Sequence, residues 1–210
     1  MSYGLYLYAV EIESIRKLPG TDDQSLRAFV FDHPEVQEAI ATASRNPDVF
    51  TPDAPTIKDV LASILNQDFP QKAPFSYVYS YGYLALCKIW SHSTLYNHSW
   101  TTIRYQFVDK VTEVLESNGL PNVLWPLIHG GPCIKLPACD TFPFLGYMLS
   151  EEANAMQRRF REVPLDVFAG EDEGTYRAIE EIYSWFDIVL DINTKHLAGR
   201  PPVGIIAAYY

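Results

Sequence analysis

The residues best able to do chemistry lie in the middle of the chain, where histidine and cysteine occur close together. His129 precedes Cys133, and Cys139 follows shortly afterwards. A histidine beside a cysteine can form a nucleophile pair in which the imidazole takes the thiol proton. A reactive thiol needs an electropositive, partly exposed setting, but Lys135 is the one basic residue near these cysteines and the segment is otherwise apolar. The sequence therefore favours buried, inert thiols.

Standard catalytic and cofactor-binding motifs are absent from the sequence. There is no P-loop, no G-x-G-x-x-G and no H-E-x-x-H. The triplet His129-Gly130-Gly131 has the composition of an oxyanion loop, but the G-x-S-x-G elbow that such a loop serves is missing. Cys87, His92 and His98 lack the short paired spacing of zinc ligands. We therefore expect no metal and no cofactor, and the missing catalytic motifs favour a binding protein over an enzyme.

One hypothesis for a small-molecule site combines tyrosines and histidines of the same region. A pocket of this kind would serve a small-molecule-binding protein or a hydrolase. It requires at least two of the histidines to converge on one cavity with a carboxylate or a thiol. The predicted lining consists of Tyr79, Tyr83, His92, His98 and His129.

The last predicted helix, Thr175 to His196, provides the leading hypothesis. Its core stripe is accompanied by further apolar residues on another side and by a narrow acidic stripe. Burial between a sheet and another helix would explain a helix this widely apolar. The functional interpretation is an exposed surface that binds a basic protein partner, as an inhibitor or immunity-type protein would; a homodimer through this helix is a further alternative. The predicted binding residues are Glu180, Trp185, Asp187, Ile188 and Asp191.

Composition restricts the class of protein. The 210 residues carry a formal net charge of -10, and 48% of them are apolar. An acidic surface repels phosphate backbones, so we expect no nucleic-acid binding. No apolar run approaches the roughly 18 residues of a membrane span. The three cysteines are an odd number and argue against a disulfide framework, which favours a cytoplasmic protein.

Two uncharged apolar segments predict the centre of the fold. Tyr3 to Val10 and Val203 to Tyr210 are apolar at odd and even positions alike, which is typical of strands covered on both sides. The rest of the chain shows mainly helical spacing. We therefore predict a single α+β domain over residues 1–210, helix-rich, with a small sheet that includes the N- and C-terminal strands.

The segments between these strands differ in how clearly they can be assigned. Tyr77 to Trp90 fits either a strand or a buried helix, and its length favours the helix. A helix is predicted from Thr101 to Ser117, and an irregular excursion from Leu120 to Leu149 with a strand at Val123 to Ile128. Ser150 is expected to cap a helix that runs to about Arg161.

Three segments carry a family resemblance. They are the opening M-S-Y-G-L-Y-L-Y-A-V, the stretch D-x-F-P-x-x-G-Y-x-x-x-E from Asp140 to Glu151, and the closing helix with its strand. Together they resemble an uncharacterised group of small bacterial proteins, and more distantly the YfbM-like family. The resemblance implies a single α+β domain. It implies no known activity, so no catalytic residue is assigned from it.

Overall fold

The first and last strands form the centre of the sheet. The computed structural model describes residues 3–70, 74–139, 141–195 and 199–210. Strand β1 (Tyr3–Val10) pairs antiparallel with β5 (Gly204–Tyr209), in a register that runs from Leu5 opposite Tyr209 to Val10 opposite Gly204. The sheet order is β2-β1-β5-β4, and a short β3 pairs with the other end of β1. The expected central position of both segments is confirmed.

Within the described residues, three further strands and two short 3-10 helices complete the list of elements besides the α-helices. The strands are β2 (Ser91–Thr94), β3 (Thr101–Ile103) and β4 (Phe144–Met148), and the 3-10 helices span His98–Trp100 and Leu165–Phe168. The helices are α1 (Ile12–Arg16), α2 (Gln24–Asp32), α3 (Pro34–Arg45), α4 (Ile57–Asn66), α5 (Ser76–Ile89), α6 (Tyr105–Ser117), α7 (Leu124–His129), α8 (Ser150–Glu162) and α9 (Glu173–Lys195). The predicted end of the last helix, His196, lies outside the described residues.

Helices cover both faces of the sheet, which gives three layers. Successive side chains of a strand point to opposite faces. Leu5 and Leu7 of β1 pack in a core with α6, α7, α8 and α9, which we call the α9 face. Tyr8 of β1 and Ile206 of β5 pack in a second core with α1 to α5, which we call the α5 face. The predicted helix-rich α+β fold is confirmed.

The segment Tyr77 to Trp90 is helical up to Ile89, as its length favoured, and Trp90 is the C-cap. Helix α5 is buried on more than one side, since Val78, Tyr83 and Leu86 are fully enclosed. Gly82 lets it approach α4 closely, because a Cβ at this position would lie 2.6 Å from Cγ1 of Val60. A helix enclosed on several sides does not show the clean single stripe of a surface helix, which explains the ambiguity of the sequence.

Two predictions for the middle of the chain are wrong. Residues 123–128 were expected to form a strand, but Leu124–His129 is a helix whose first turn is capped by Asn122, since its Oδ1 accepts a hydrogen bond from N of Trp125 at 3.1 Å. The strand of this region is instead β4, in the segment expected to be irregular. Helix α7 packs directly on β4, and a Cβ at Gly146 would lie 2.2 Å from the Leu127 carbonyl oxygen.

Two helix starts also differ from the prediction. Residues 101–103 form β3 because they pair with β1, so α6 begins later, at Tyr105. At α8 the N-cap position is Leu149, whose backbone N–H donates to Glu152 at 2.7 Å, and Ser150 is the first helical residue. Ser150 instead accepts a hydrogen bond from Asn193 of α9. Among the helices of the described residues, none has the length and apolar character that crossing a bilayer requires.

Candidate functional site

The expected partner surface on α9 lacks its aromatic residue. Trp185 is fully buried on the α9 face, with its ring centroid 5.7 Å from that of Trp100. Its indole N–H donates to the backbone carbonyl of Tyr96. Ile188 is half-buried against the same core. The prediction that Trp185 contacts a partner is therefore wrong, because its side chain packs inside the protein.

The acidic residues of α9 are exposed, as expected, but two of the three have partners. Asp187 accepts hydrogen bonds from Gln157 at 2.9 Å and from Arg161 at 3.3 Å, both on α8. Asp191 pairs with Lys195 one turn later, at 2.7 Å. Glu180 is exposed. These contacts reduce the negative potential that this surface could present to a basic protein.

The five residues of the predicted histidine pocket lie in different places. Tyr79 packs edge-to-face against Phe69 inside the α5 face. Tyr83 is fully buried, and its hydroxyl donates to Sγ of Cys133 at 3.2 Å. Among the histidines, His92 contacts Glu11 at 2.9 Å, His98 lies beside Tyr96, and His129 stacks on Trp125.

The sheet separates the three histidines. His92 follows Ser91, which is paired with Val10, whereas His98 follows Asn97, which donates to the Leu5 carbonyl. The six residues from Leu5 to Val10 span about 17 Å of strand. His129 lies against Phe144 of β4, at the opposite edge of the sheet from β2. The predicted pocket with two converging histidines is therefore not formed.

Of the residues considered above, His129 and Cys139 do line a common cavity, at the β4 edge of the sheet. This histidine cavity, of about 460 Å³, also includes Ser80 of α5 and Phe144 of β4. Burial lowers the pKa of His129, so its imidazole is neutral at neutral pH. The Cys139 thiol, however, donates to the carbonyl of Thr141 at 3.1 Å. A thiol engaged as a donor is not poised as a nucleophile.

The other two cysteines are also unsuited to nucleophilic chemistry. Cys87 is fully buried, and burial raises the pKa of its thiol well above the usual value. Burial likewise raises the pKa of Cys133. The sequence favours buried, inert thiols at Cys133 and Cys139; both are half-buried, and the raised pKa of Cys133 agrees with a thiol of low reactivity. Among the described residues, no three histidine, cysteine or carboxylate side chains are grouped closely enough to hold a metal ion.

Four aromatic rings are part of the lining of a cavity on the α5 face. Tyr8 of β1, Phe50 after α3, Tyr81 of α5 and Tyr210 after β5 form its walls, and we call it the tyrosine cavity. Its volume is about 320 Å³, within the roughly 300–1,000 Å³ of typical ligand pockets. The rings are fixed by contacts with one another. Tyr81 lies 5.2 Å from Phe50 and 6.2 Å from Tyr210, measured between ring centroids.

Strand geometry explains why tyrosines gather there. Tyr6 and Tyr8 are two residues apart on β1, so both point to the α5 face. The backbones of Gly4 and Tyr210 are joined by two hydrogen bonds, of 2.6 and 3.1 Å, which brings the ring of Tyr210 next to that of Tyr6. These two rings stack with 4.9 Å between centroids and 11° between planes. The rigid sheet therefore holds one wall of the cavity, and α5 holds the other.

The tyrosine hydroxyls of this cavity are not hydrogen-bonded within the part of the chain that the structure describes. No hydrogen bond joins the hydroxyl of Tyr8, Tyr81 or Tyr210 to another described residue, in contrast to Tyr77, which donates to the Val49 carbonyl at 2.6 Å. Burial raises the pKa of Tyr8 to about 12 and also raises the pKa values of Tyr81 and Tyr210. All three are therefore neutral hydroxyls that can donate and accept hydrogen bonds.

Three charged residues also line the tyrosine cavity. Glu38 of α3 is paired with Arg45, two turns later on the same helix, at 2.7 Å. Glu35 of α3 and Lys88 of α5 have no ion-pair partner among the described residues. Both act on Tyr8: the Glu35 charge contributes to the raised pKa of its phenol, and Nζ of Lys88 lies 5.9 Å from its ring centroid.

The tyrosines of α5 were a sequence signal for this cavity, but the predicted pocket contained the wrong ones. Tyr79 and Tyr83, which the predicted pocket includes, lie on the side of α5 that packs into the core. Tyr81 lies on another side of the same helix and faces the cavity. Tyr8 and Tyr210 belong to the two terminal segments that were predicted to be strands. The other residues of the cavity come from α3, the segment after α3, α4 and α5, so the sequence does not show that they lie beside these tyrosines.

Comparison with known proteins gives one match. No curated protein and no solved structure matches the chain. A family model described as "Domain of unknown function (DUF7691)" matches residues 1–199. This match provides no link to the YfbM-like family, so that distant similarity stays a prediction. Because the matched range covers nearly the whole chain, including the helices α3 and α5 beside the tyrosine cavity, the chain belongs to the family of the domain of unknown function DUF7691.

Proposed function

We propose that this protein binds a small organic molecule in the tyrosine cavity. The observation that supports the proposal is the set of three unpartnered tyrosine hydroxyls around a preformed cavity of about 320 Å³. Ligand sites are typically apolar, concave and supplied with a few convergent polar groups. Four aromatic rings provide the apolar walls, and the hydroxyls of Tyr8, Tyr81 and Tyr210 provide the polar groups.

The proposal is for binding rather than catalysis. A nucleophile needs an adjacent base or a lowered pKa, whereas the groups that line the tyrosine cavity are tyrosines with raised pKa values and three charged side chains. Cys139, which lines the histidine cavity together with His129, donates a hydrogen bond to a backbone carbonyl.

The proposal can be tested by filling the cavity. Ala39 of α3 lines the tyrosine cavity, and Ala41 lies on the same helix but is exposed and outside the lining. The purified protein would be titrated with a library of metabolites by ligand-observed NMR. We expect binders that lose affinity in Ala39→Phe and keep it in Ala41→Phe. Equal binding by the two variants, or no binder in the library, would contradict the proposal.

The surface of α9 remains a separate prediction. A basic protein partner would meet Glu180, Asp187 and Asp191, all exposed, without an aromatic anchor, since Trp185 is buried. Hot spots of interfaces are enriched in buried aromatic and arginine side chains, so this surface has less support than the tyrosine cavity. A homodimer through α9, a cytoplasmic location and a bacterial source stay predictions as well.

A further inference from the structure

The charges of the tyrosine cavity indicate the chemical class of the ligand. We infer, on the basis of the function proposed above, that the ligand is a zwitterion of amino-acid size, with an ammonium group, a carboxylate and an aromatic or apolar side chain. Lys88 would bind the carboxylate and Glu35 the ammonium group. The aromatic walls formed by Phe50, Tyr81 and Tyr210 would enclose the side chain.

The inference starts from the charge balance of the lining. Glu38 is neutralised by Arg45, at 2.7 Å. What is left is one carboxylate, on Glu35, and one ammonium group, on Lys88, and neither forms an ion pair with a described residue. They do not pair with each other either, although both lie close enough to Tyr8 to act on it. The cavity therefore presents one uncompensated charge of each sign.

A ligand with a single charge would satisfy only one of these groups. A cation would pair with Glu35 and be repelled by Lys88, and an anion would meet the reverse arrangement. A zwitterion can place each of its charges beside the opposite charge of the protein. Complementarity of this kind contributes more to specificity than to total affinity, so the expected signature is a preference among related ligands.

The aromatic walls agree with the same class of ligand. An ammonium group is attracted to the face of a tyrosine ring within about 6 Å, and an aromatic side chain gains from stacking or edge-to-face contact with such rings. The hydroxyls of Tyr8, Tyr81 and Tyr210 can donate to a carboxylate. The volume of about 320 Å³ lies at the low end of the range for ligand pockets, roughly 300–1,000 Å³, which favours an amino acid over a nucleotide.

A matched set of ligands tests the inference. Phenylalanine, tryptophan, tyrosine and leucine would each be titrated by calorimetry beside the corresponding decarboxylated amine and deaminated acid. We expect at least one amino acid to bind about fivefold or more tightly than both of its partners, the scale of a partly exposed ion pair. The preference should fall as salt rises, because salt screens exposed charges.

Two substitutions separate the roles of the charged residues. In Lys88→Gln the amino acid should bind no better than its amine, and in Glu35→Gln no better than its acid. Glu116→Gln is an exposed acidic control on α6, outside the lining and without an ion pair among the described residues, and Lys58→Gln is an exposed basic control on α4. Both controls should keep the wild-type preference. All four changes are at exposed or half-exposed positions, so the fold should be retained.

The possible results distinguish this inference from the proposed function. An amine, an acid or an uncharged analogue that binds as tightly as the amino acid would overturn the zwitterion and leave a small-molecule site. A preference for the amino acid that survives both Lys88→Gln and Glu35→Gln would overturn the assignment of its charges. If neither this set nor the metabolite library binds, the proposed function itself is overturned.

Discussion

The tyrosine cavity and the acidic surface of α9 lie on opposite faces of the sheet and differ in how their polar groups are satisfied. On α9, Asp187 and Asp191 have basic partners and the Trp185 N–H has a carbonyl acceptor. In the tyrosine cavity, Glu35 and Lys88 have no ion pair among the described residues, and three hydroxyls have no protein partner. The two regions therefore differ in where their unpaired groups lie: those of the tyrosine cavity surround a void, whereas Glu180, the acid of this α9 surface without an ion pair among the described residues, lies on an exposed helix side.

The largest expected effect distinguishes a core aromatic residue from a cavity aromatic residue. Trp185→Ala should destabilise the protein by about 3–5 kcal/mol, the usual range for removing a buried tryptophan, because Trp185 is fully buried against Trp100. Tyr81→Ala should cost clearly less, since one side of this ring already borders the cavity. Urea unfolding of both variants measures the difference. A smaller loss for Trp185→Ala than for Tyr81→Ala would break the comparison.

A second test compares two tyrosine hydroxyls. Tyr183 of α9 donates to the Val163 carbonyl at 2.6 Å, so Tyr183→Phe should lower the free energy of unfolding by about 1 kcal/mol. Tyr81→Phe removes a hydroxyl without a protein partner and should leave the stability unchanged. Ligand affinity should respond in the opposite order. Equal losses of stability in the two variants would show that the Tyr81 hydroxyl has a structural partner after all.

A third and smaller effect concerns the exposed charges. Asp187→Asn removes the charge that pairs with Arg161 at 3.3 Å. Exposed pairs contribute at most about 1 kcal/mol and often less, so a loss of a few tenths is expected. Glu180→Gln, at an exposed position in the middle of α9, should cost less, because Glu180 has no ion pair among the described residues. Unfolding at low and high salt checks this, since the loss in Asp187→Asn should shrink at high salt.

The smallest effect at neutral pH comes from the raised pKa of Tyr8, and it becomes measurable only in alkali. The pKa of Tyr8 is about 12 in the folded protein, mainly because burial disfavours the phenolate. Below pH 10 both states hold the proton and stability is unaffected. Between pH 10 and 12 the folded state binds more protons than the unfolded state, so stability falls as the pH rises. Urea unfolding across this window should show a shallower decline for Tyr8→Phe.

The parts of the fold that could be predicted are those where local pattern and tertiary environment agree. The uncharged runs at Tyr3–Val10 and Gly204–Tyr209 become central strands because both faces of the sheet are covered. Residues 123–128 and 144–148 are both short apolar segments, and periodicity cannot separate a strand from a helix at this length. Pairing with β5 makes 144–148 the strand, a contact that no local pattern contains.

The candidate site was predicted less well for a related reason. The aromatic surplus and the tyrosines of α5 were visible, but the choice between Tyr79 and Tyr81 depends on which side of the helix faces α3. Glu35 and Lys88 are ordinary helix-end charges in the sequence, in the first turn of α3 and the last turn of α5. Their lack of partners is a property of the packed structure. Trp185 is a similar case, because the apolar pattern of the last helix does not indicate which of its sides is buried in the folded protein.

The pairing of β1 with β5 also determines when the molecule can fold. Leu5 and Tyr209 are neighbours in the sheet, yet almost all of the described chain is synthesised between them. Contacts of such sequence separation slow folding, because the intervening chain must be ordered before they form. During synthesis, the backbone groups of β1 that will pair with β5 stay exposed. An unpaired strand edge of this kind is prone to wrong strand pairing. The sheet closes only after its last strand emerges, so productive folding is expected to follow the completion of β5 rather than proceed from the N-terminal side.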